Sequence, residues 1–180
     1  MNKELLKQQV CAAIDASAAK IKAIADGIAD EPELGFKEVK TSAKVAEFMR
    51  ELGLEVQTGL AINGVKGRAH GGKKGPTAAV LGELDAVGCP ESAKADPLTG
   101  AAHACGHNLQ IATMLGAACG IMKSGVLKEL AGDVVFFGVP AEEYIEIEYR
   151  KKLLEAGKLH FLSGKGQLIL EDRDNPLTCG

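Results

Sequence analysis

Apolar residues recur at helical spacing from the start of the chain. Val10, Ile14, Ile21, Ile24 and Ile28 fall three, four or seven positions apart among Ala, Lys and Gln. This pattern predicts one long amphipathic helix over residues 3–28. Glu31-Pro32-Glu33-Leu34-Gly35 breaks it. A second helix is predicted over 37–52, with Val39, Val45, Phe48, Met49 and Leu52 inward and Gly53 capping its end.

Strand patterning follows. Residues 54–60 read as a half-exposed strand, Asn63-Gly64 as a turn and residues 64–70 as a second strand. Gly71-Gly72-Lys73-Lys74-Gly75-Pro76 reads as another turn, so the strands on either side of it are expected to form a hairpin. Residues 77–84 are short and mostly apolar, as in a buried central strand. Residues 86–102 form a long loop with Gly88, Pro90, Pro97 and Gly100. A helix rich in small residues is predicted over 108–122 and is expected to pack closely. Residues 133–139 are the clearest buried strand, and 144–156 read as a helix ending at Gly157.

Strand, loop, helix, strand, helix predicts an α/β layered domain, with a mixed β-sheet flanked by helices. Ligands in such folds collect beyond the C-terminal ends of strands. Asp85 and Glu142-Glu143 directly follow two of the predicted central strands. His103, Cys105 and His107 end the long loop and lead into a helix. All are expected on one rim.

The 180 residues are 46% apolar and 25% charged, ordinary for one globular domain. A net charge of -3 argues against nucleic-acid and anionic-membrane partners. No run is long and apolar enough to span a bilayer, and the N-terminus reads as too polar for a signal peptide. The five cysteines are odd in number, without a CxxC, which speaks against a disulfide framework. A cytoplasmic location is expected. Cys11 and Cys119 read as small core residues.

Cys105, His107, Glu142 and Glu143 bring together thiolate, imidazole and carboxylate, the donor types that bind a zinc-like cation. In an extended segment, Cys105 and His107 would point to the same side. The alternative is a buried cysteine and a helix-capping histidine. Of the adjacent glutamates, one could bind metal while the other handles a proton, or both could complement a helix N-terminus. Asp85 either orients a histidine or caps the next turn. Cys105 and His107 are too close in sequence for a thiolate–imidazole nucleophile pair, and there is no phosphate-binding glycine motif.

Four segments carry a resemblance. They are Pro32-Glu33-Leu34-Gly35-Phe36-Lys37-Glu38, Leu84-Asp85-Ala86, His103-Ala104-Cys105-Gly106-His107-Asn108 and Pro140-Ala141-Glu142-Glu143. Their order resembles the M20 metallopeptidase/amidohydrolase family, in particular the branch of p-aminobenzoyl-glutamate hydrolase subunits and M20-domain dipeptidases. The resemblance runs from about Ile28 to Leu168. It implies a zinc-peptidase-like catalytic domain that hydrolyses an amide bond in N-acyl amino acids or dipeptides, with two divalent metals, zinc or manganese, per site. By motif position Cys105, His107 and Glu143 resemble metal ligands, Glu142 the general base and Asp85 the aspartate behind the ligands. His103 and Asn108 are expected to support them.

There are departures. Asn108 and Gln110 stand where much of the amidohydrolase branch has Asp and a further His. Family members are longer, with an inserted dimerisation or lid domain and later histidine ligands. Residues 1–168 are therefore expected to be the N-terminal part of a catalytic domain and 169–180 an atypical tail, with activity lost or split. A homodimer or a complementing subunit is the expected partner. The alternative expectation is a non-catalytic metal-binding or interaction remnant that pairs with another subunit through its sheet edge.

Overall fold

The computed structural model describes residues 2–144, 151–152, 154–156, 159–161 and 168–170. The chain divides into two compact units, Met1–Glu143 and Tyr144–Gly180.

In the first unit, α1 (Lys3–Asp15) begins at Asn2, whose side chain accepts from the Glu4 N–H at 3.0 Å. α2 (Ala18–Ala29) follows at once. The single helix expected over 3–28 is thus two. Ser17 makes the break: its hydroxyl donates to the Ala13 carbonyl and its N–H turns to the Ile14 carbonyl.

α3 spans Val39–Glu51. Its first-turn N–H groups on Lys40 and Thr41 donate to the Glu33 carboxylate at 3.1 and 2.8 Å, so the Pro-Glu-Leu-Gly segment caps the helix from a distance. Val39, expected inward, is 66% exposed at that first turn. Gly53, at φ +80°, ends the helix as expected. Its N–H donates to the Arg50 carbonyl and that of Leu54 to Met49, a Schellman pairing.

β1 (Glu55–Leu60) and β2 (Gly64–Ala69) form an antiparallel hairpin. The expected hairpin across Gly71–Pro76 does not form. β6 (Val134–Val139) lies between β2 and β3 (Ala78–Glu83), antiparallel to the first and parallel to the second. The four-stranded order is β1-β2-β6-β3. β6 is central and buried, as expected. β3, expected to be central, ends this sheet, and its Leu81 is 60% exposed. An apolar run marks burial on average but does not say which strand lies inside.

The parallel β3–β6 pair requires a crossover, and α4 (His107–Lys123) supplies it. The loop before α4 is closed at its base by β4 (Val87–Gly88) pairing with β5 (Ala101–Ala102). α4 packs on β3, α1 and α2. Close packing is visible at Gly120, where a Cβ would lie 2.8 Å from Val10 Cγ1, and at Gly82, where it would meet Ile111 at 3.1 Å. Phe136, Met49, Ile111, Met114 and Leu115 fill the core between helices and sheet. Cys119 is buried among them as expected, whereas Cys11 is exposed on α1. No helix among the described residues is long and apolar enough to cross a membrane.

In the second unit, β7 (Leu159–Phe161) pairs antiparallel with β8 (Leu168–Leu170). Of the helix expected over 144–156, only Lys151, Lys152, Leu154 and Glu155 are described as helical, while Tyr144 ends a 3-10 turn. Gly157 and the tail 171–180 lie outside the described residues.

Candidate metal centre

The parallel register sets Glu83 beside Val139, and the Leu84 N–H donates to the Val139 carbonyl at 2.8 Å. Both strands therefore end at the same level. Asp85 follows one, and Pro140 to Glu143 follow the other. The 33–38 segment joins this rim through the Leu34–Ala86 bridge and the Ala86 N–H bonded to the Glu33 carbonyl.

Gly106 stands at the N-cap of α4 with φ +91°, a left-handed turn that glycine adopts freely. His107 is the first residue of that helix, so the extended Cys105–His107 segment imagined from the sequence is replaced by a sharp turn into α4. The turn still brings the side chains together. One donor atom each from Cys105, His107 and Glu143 lie within 4.8 Å of one another, as do those of Glu83, His107 and Glu142.

His107 is 1% exposed. Its Nδ1 faces the Asp85 carbonyl at 2.8 Å and Asp85 Oδ1 at 3.2 Å. Both of these partners are acceptors, so Nδ1 donates to Asp85, and Nε2 is turned toward the acids. Around Nε2 lie Glu83 Oε2 at 2.9 Å, Glu142 Oε2 at 3.7 Å and Glu143 Oε1 at 3.7 Å. Nε2 and Glu143 Oε1 are both buried without a hydrogen-bond partner. Such an arrangement is unfavourable unless a positive charge joins it. Bonds of about 2.0–2.2 Å to a tetrahedral cation separate neighbouring ligand atoms by roughly 3.3–3.6 Å. The Glu142 and Glu143 distances lie just above that range and the Glu83 distance lies below it, while the donor types suit a divalent metal.

The buried Asp85 also accepts from the Glu143 N–H at 2.9 Å. Glu143, by hydrogen bonding and charge, raises the exposed Cys105 thiol above its ordinary pKa. Burial, followed by the charge of Glu83, raises the half-exposed Glu142 carboxyl. Burial pushes His103 down to about 4, and both its ring nitrogens lack hydrogen-bond partners. Asn108 donates to the Ala25 carbonyl at 3.3 Å, tying α4 to α2 rather than to a donor side chain. Sequence reasoning missed Glu83. It ends β3, two residues before Asp85, and nothing local in the sequence sets it apart.

No protein-family model matches the chain. Thermostable carboxypeptidase 2 of Saccharolobus solfataricus is 35% identical over 137 residues, which cover 74% of this chain and 34% of that protein. The N-acetylcysteine deacetylase of Bacillus subtilis is 34% identical over 143 residues, 74% of this chain and 35% of that protein. The crystal structure of B. subtilis YXEP, described as a dinuclear metal binding peptidase from the M20 family, superposes with a TM-score of 0.65 at 30% identity. That match covers 79% of this chain and 40% of YXEP. The chain spans about a third of the length of these curated relatives. Over the part it shares with them, the chain belongs to the M20 family of amidohydrolases and peptidases.

Proposed function

We propose that this chain carries a metal-binding half-site of an amidohydrolase that cleaves the amide bond of N-acyl amino acids or dipeptides. The observation that carries the reading is His107 Nε2, buried, without a hydrogen bond and faced by three carboxyl groups. Cys105, His107 and Glu143 hold the cation, and Glu83 lies in the second donor group, with His107 and Glu142. A thiolate among the donors favours zinc or a similar transition metal over magnesium or calcium. Manganese is the competing occupant. The relatives' names, a carboxypeptidase and a deacetylase, support an amide bond next to a free carboxylate as the substrate class.

When bound, the cation polarises the scissile carbonyl and makes water more acidic. The protein's own groups do the rest. Asp85 holds the His107 ring in the tautomer that offers Nε2, and anchors the Glu143 backbone. Glu142 takes the proton from the attacking water and returns it to the leaving amine. Its raised carboxyl suits a group that must both accept and donate, typically worth about 10²–10⁴-fold. His103, kept neutral by burial, walls the site.

Calorimetric titration of zinc and manganese into the wild type and Cys105→Ser, paired with an amine-release assay on N-acyl amino acids and dipeptides, tests the reading. We expect one tight zinc site in the wild type, weakened by the substitution. Equal affinity in both proteins removes Cys105 from the site.

A second reading, a non-catalytic interaction remnant, is favoured by one observation. β3 ends the described sheet with Leu81 exposed on it, an edge able to take a further strand. Size-exclusion chromatography separates the two readings. A metal-free chain that self-associates, and dissociates on Leu81→Lys, supports the second.

A further inference from the structure

Glu38 is 0% exposed, an expensive place for a carboxylate unless its oxygens are well used. It stands at the N-cap of α3, yet its side chain makes no capping bond to that helix. Glu33 has taken the first-turn N–H groups instead. The Glu38 carboxylate turns the other way. Oε1 accepts the Ala141 N–H at 2.7 Å, and Oε2 accepts from Asn63 Nδ2 at 2.9 Å.

Ala141 is the residue just before the Glu142-Glu143 pair. It is buried and has φ +58°. A left-handed residue with a Cβ costs about 1–2 kcal/mol and persists only where its surroundings hold it. The bend at Ala141 aims the two glutamates. The bond from Glu38, 103 residues away in sequence, holds its first peptide, as Asp85 holds the peptide of Glu143.

We propose that Glu38 is a positioning residue for the Glu142-Glu143 pair, acting through the Ala141 peptide. The proposal rests on the metal-site reading above. It gives the buried end of the Glu33–Glu38 segment a role distinct from that of Glu33, which caps α3. Asn63, at the β1–β2 turn, steadies the carboxylate and so couples that turn to the site.

The test compares zinc affinity, by competition with a chromophoric chelator, in the wild type, Glu38→Met, Glu38→Asp and Glu38→Gln. Each is measured at a temperature where circular dichroism shows the variant folded. Met removes the acceptor at similar volume. Asp retracts it by one methylene and keeps the charge, and it serves if Met does not fold. Gln retains one carbonyl oxygen for the Ala141 N–H. Losses of roughly 10–100-fold for Met and Asp, with recovery in Gln, are expected of a residue that orients ligands. Unchanged zinc affinity in a folded Met or Asp variant overturns the proposal and leaves the metal-site reading standing, even if the melting temperature falls. A wild type that binds no zinc overturns both.

Discussion

The Glu143 N–H donates to Asp85 Oδ2 at 2.9 Å, while Oδ1 of the same carboxylate faces His107 Nδ1 at 3.2 Å. One buried side chain at the end of β3 thus fixes a donor from α4 and a donor from the turn after β6. Asp85→Asn keeps one side-chain oxygen for the Glu143 N–H and leaves the backbone carbonyl that faces His107 Nδ1 at 2.8 Å, but it sets an amide N–H against the ring N–H where the second carboxylate oxygen stood. Urea unfolding is expected to show a loss of about 1–3 kcal/mol. Chelator competition is expected to show zinc affinity reduced by roughly 10–100-fold. Unchanged values in both measurements would separate Asp85 from the site.

Zinc uptake should release a proton at neutral pH. The Cys105 thiol, raised by its neighbour Glu143, must ionise to bind. Affinity should therefore rise with pH, by about tenfold per unit for each proton released. Calorimetry in buffers of different ionisation enthalpy counts the protons. Cys105→Ser should release one fewer.

Away from the site, His70 bridges two acids, with Nε2 at 3.1 Å from Glu55 Oε2 and Nδ1 at 3.1 Å from Asp133 Oδ2. The Glu55 bond above all raises its pKa above the ordinary 6.5. A histidine whose folded pKa is raised stabilises the fold below its unfolded value. That contribution fades as pH climbs through the folded value. The melting temperature should accordingly fall slightly from pH 6 to pH 8, and His70→Gln should flatten that slope. An NMR titration of His70 should give a midpoint above 6.5 in the wild type and a lower one in Glu55→Gln.

The α1–α4 contact makes a steric prediction. At Gly120 a Cβ would lie 2.8 Å from Val10 Cγ1 and 3.0 Å from Ile14 Cγ1. Gly120→Val should cost about 1–3 kcal/mol by overpacking. At Gly116 the nearest atom, Ile21 Cδ1, is 3.5 Å from the added carbon. Gly116→Ala should be neutral or stabilise the protein by up to about 1 kcal/mol through helix propensity. Chemical denaturation of the two variants checks the pair.

Local rules made much of this fold legible. Gly53 as a helix cap, Asn63-Gly64 as a turn and residues 133–139 as a buried strand all follow from local chemistry. Strand order did not, because β6 reaches its place between β2 and β3 through contacts distant in sequence. The break at Ser17 depends on a single hydroxyl that competes for backbone groups. At the candidate site, Cys105, His107 and the two glutamates could be picked out as candidates from residue type, position and the family resemblance. Glu83 could not, because a carboxylate ending a strand is common and only its approach to His107 Nε2 sets it apart. The use of Glu38 depends on a contact across 103 residues and has no local signature.

The claim that Cys105, His107 and Glu143 share one cation is tested most directly by cobalt substitution followed by absorption spectroscopy. Cobalt bound to a thiolate gives a near-ultraviolet charge-transfer band that oxygen and nitrogen donors alone do not give. A saturable band at one cobalt per chain, absent in Cys105→Ser and weakened in His107→Ala and Glu143→Ala, is the predicted result. Cobalt that binds without that band, or a band that persists in Cys105→Ser, would contradict it.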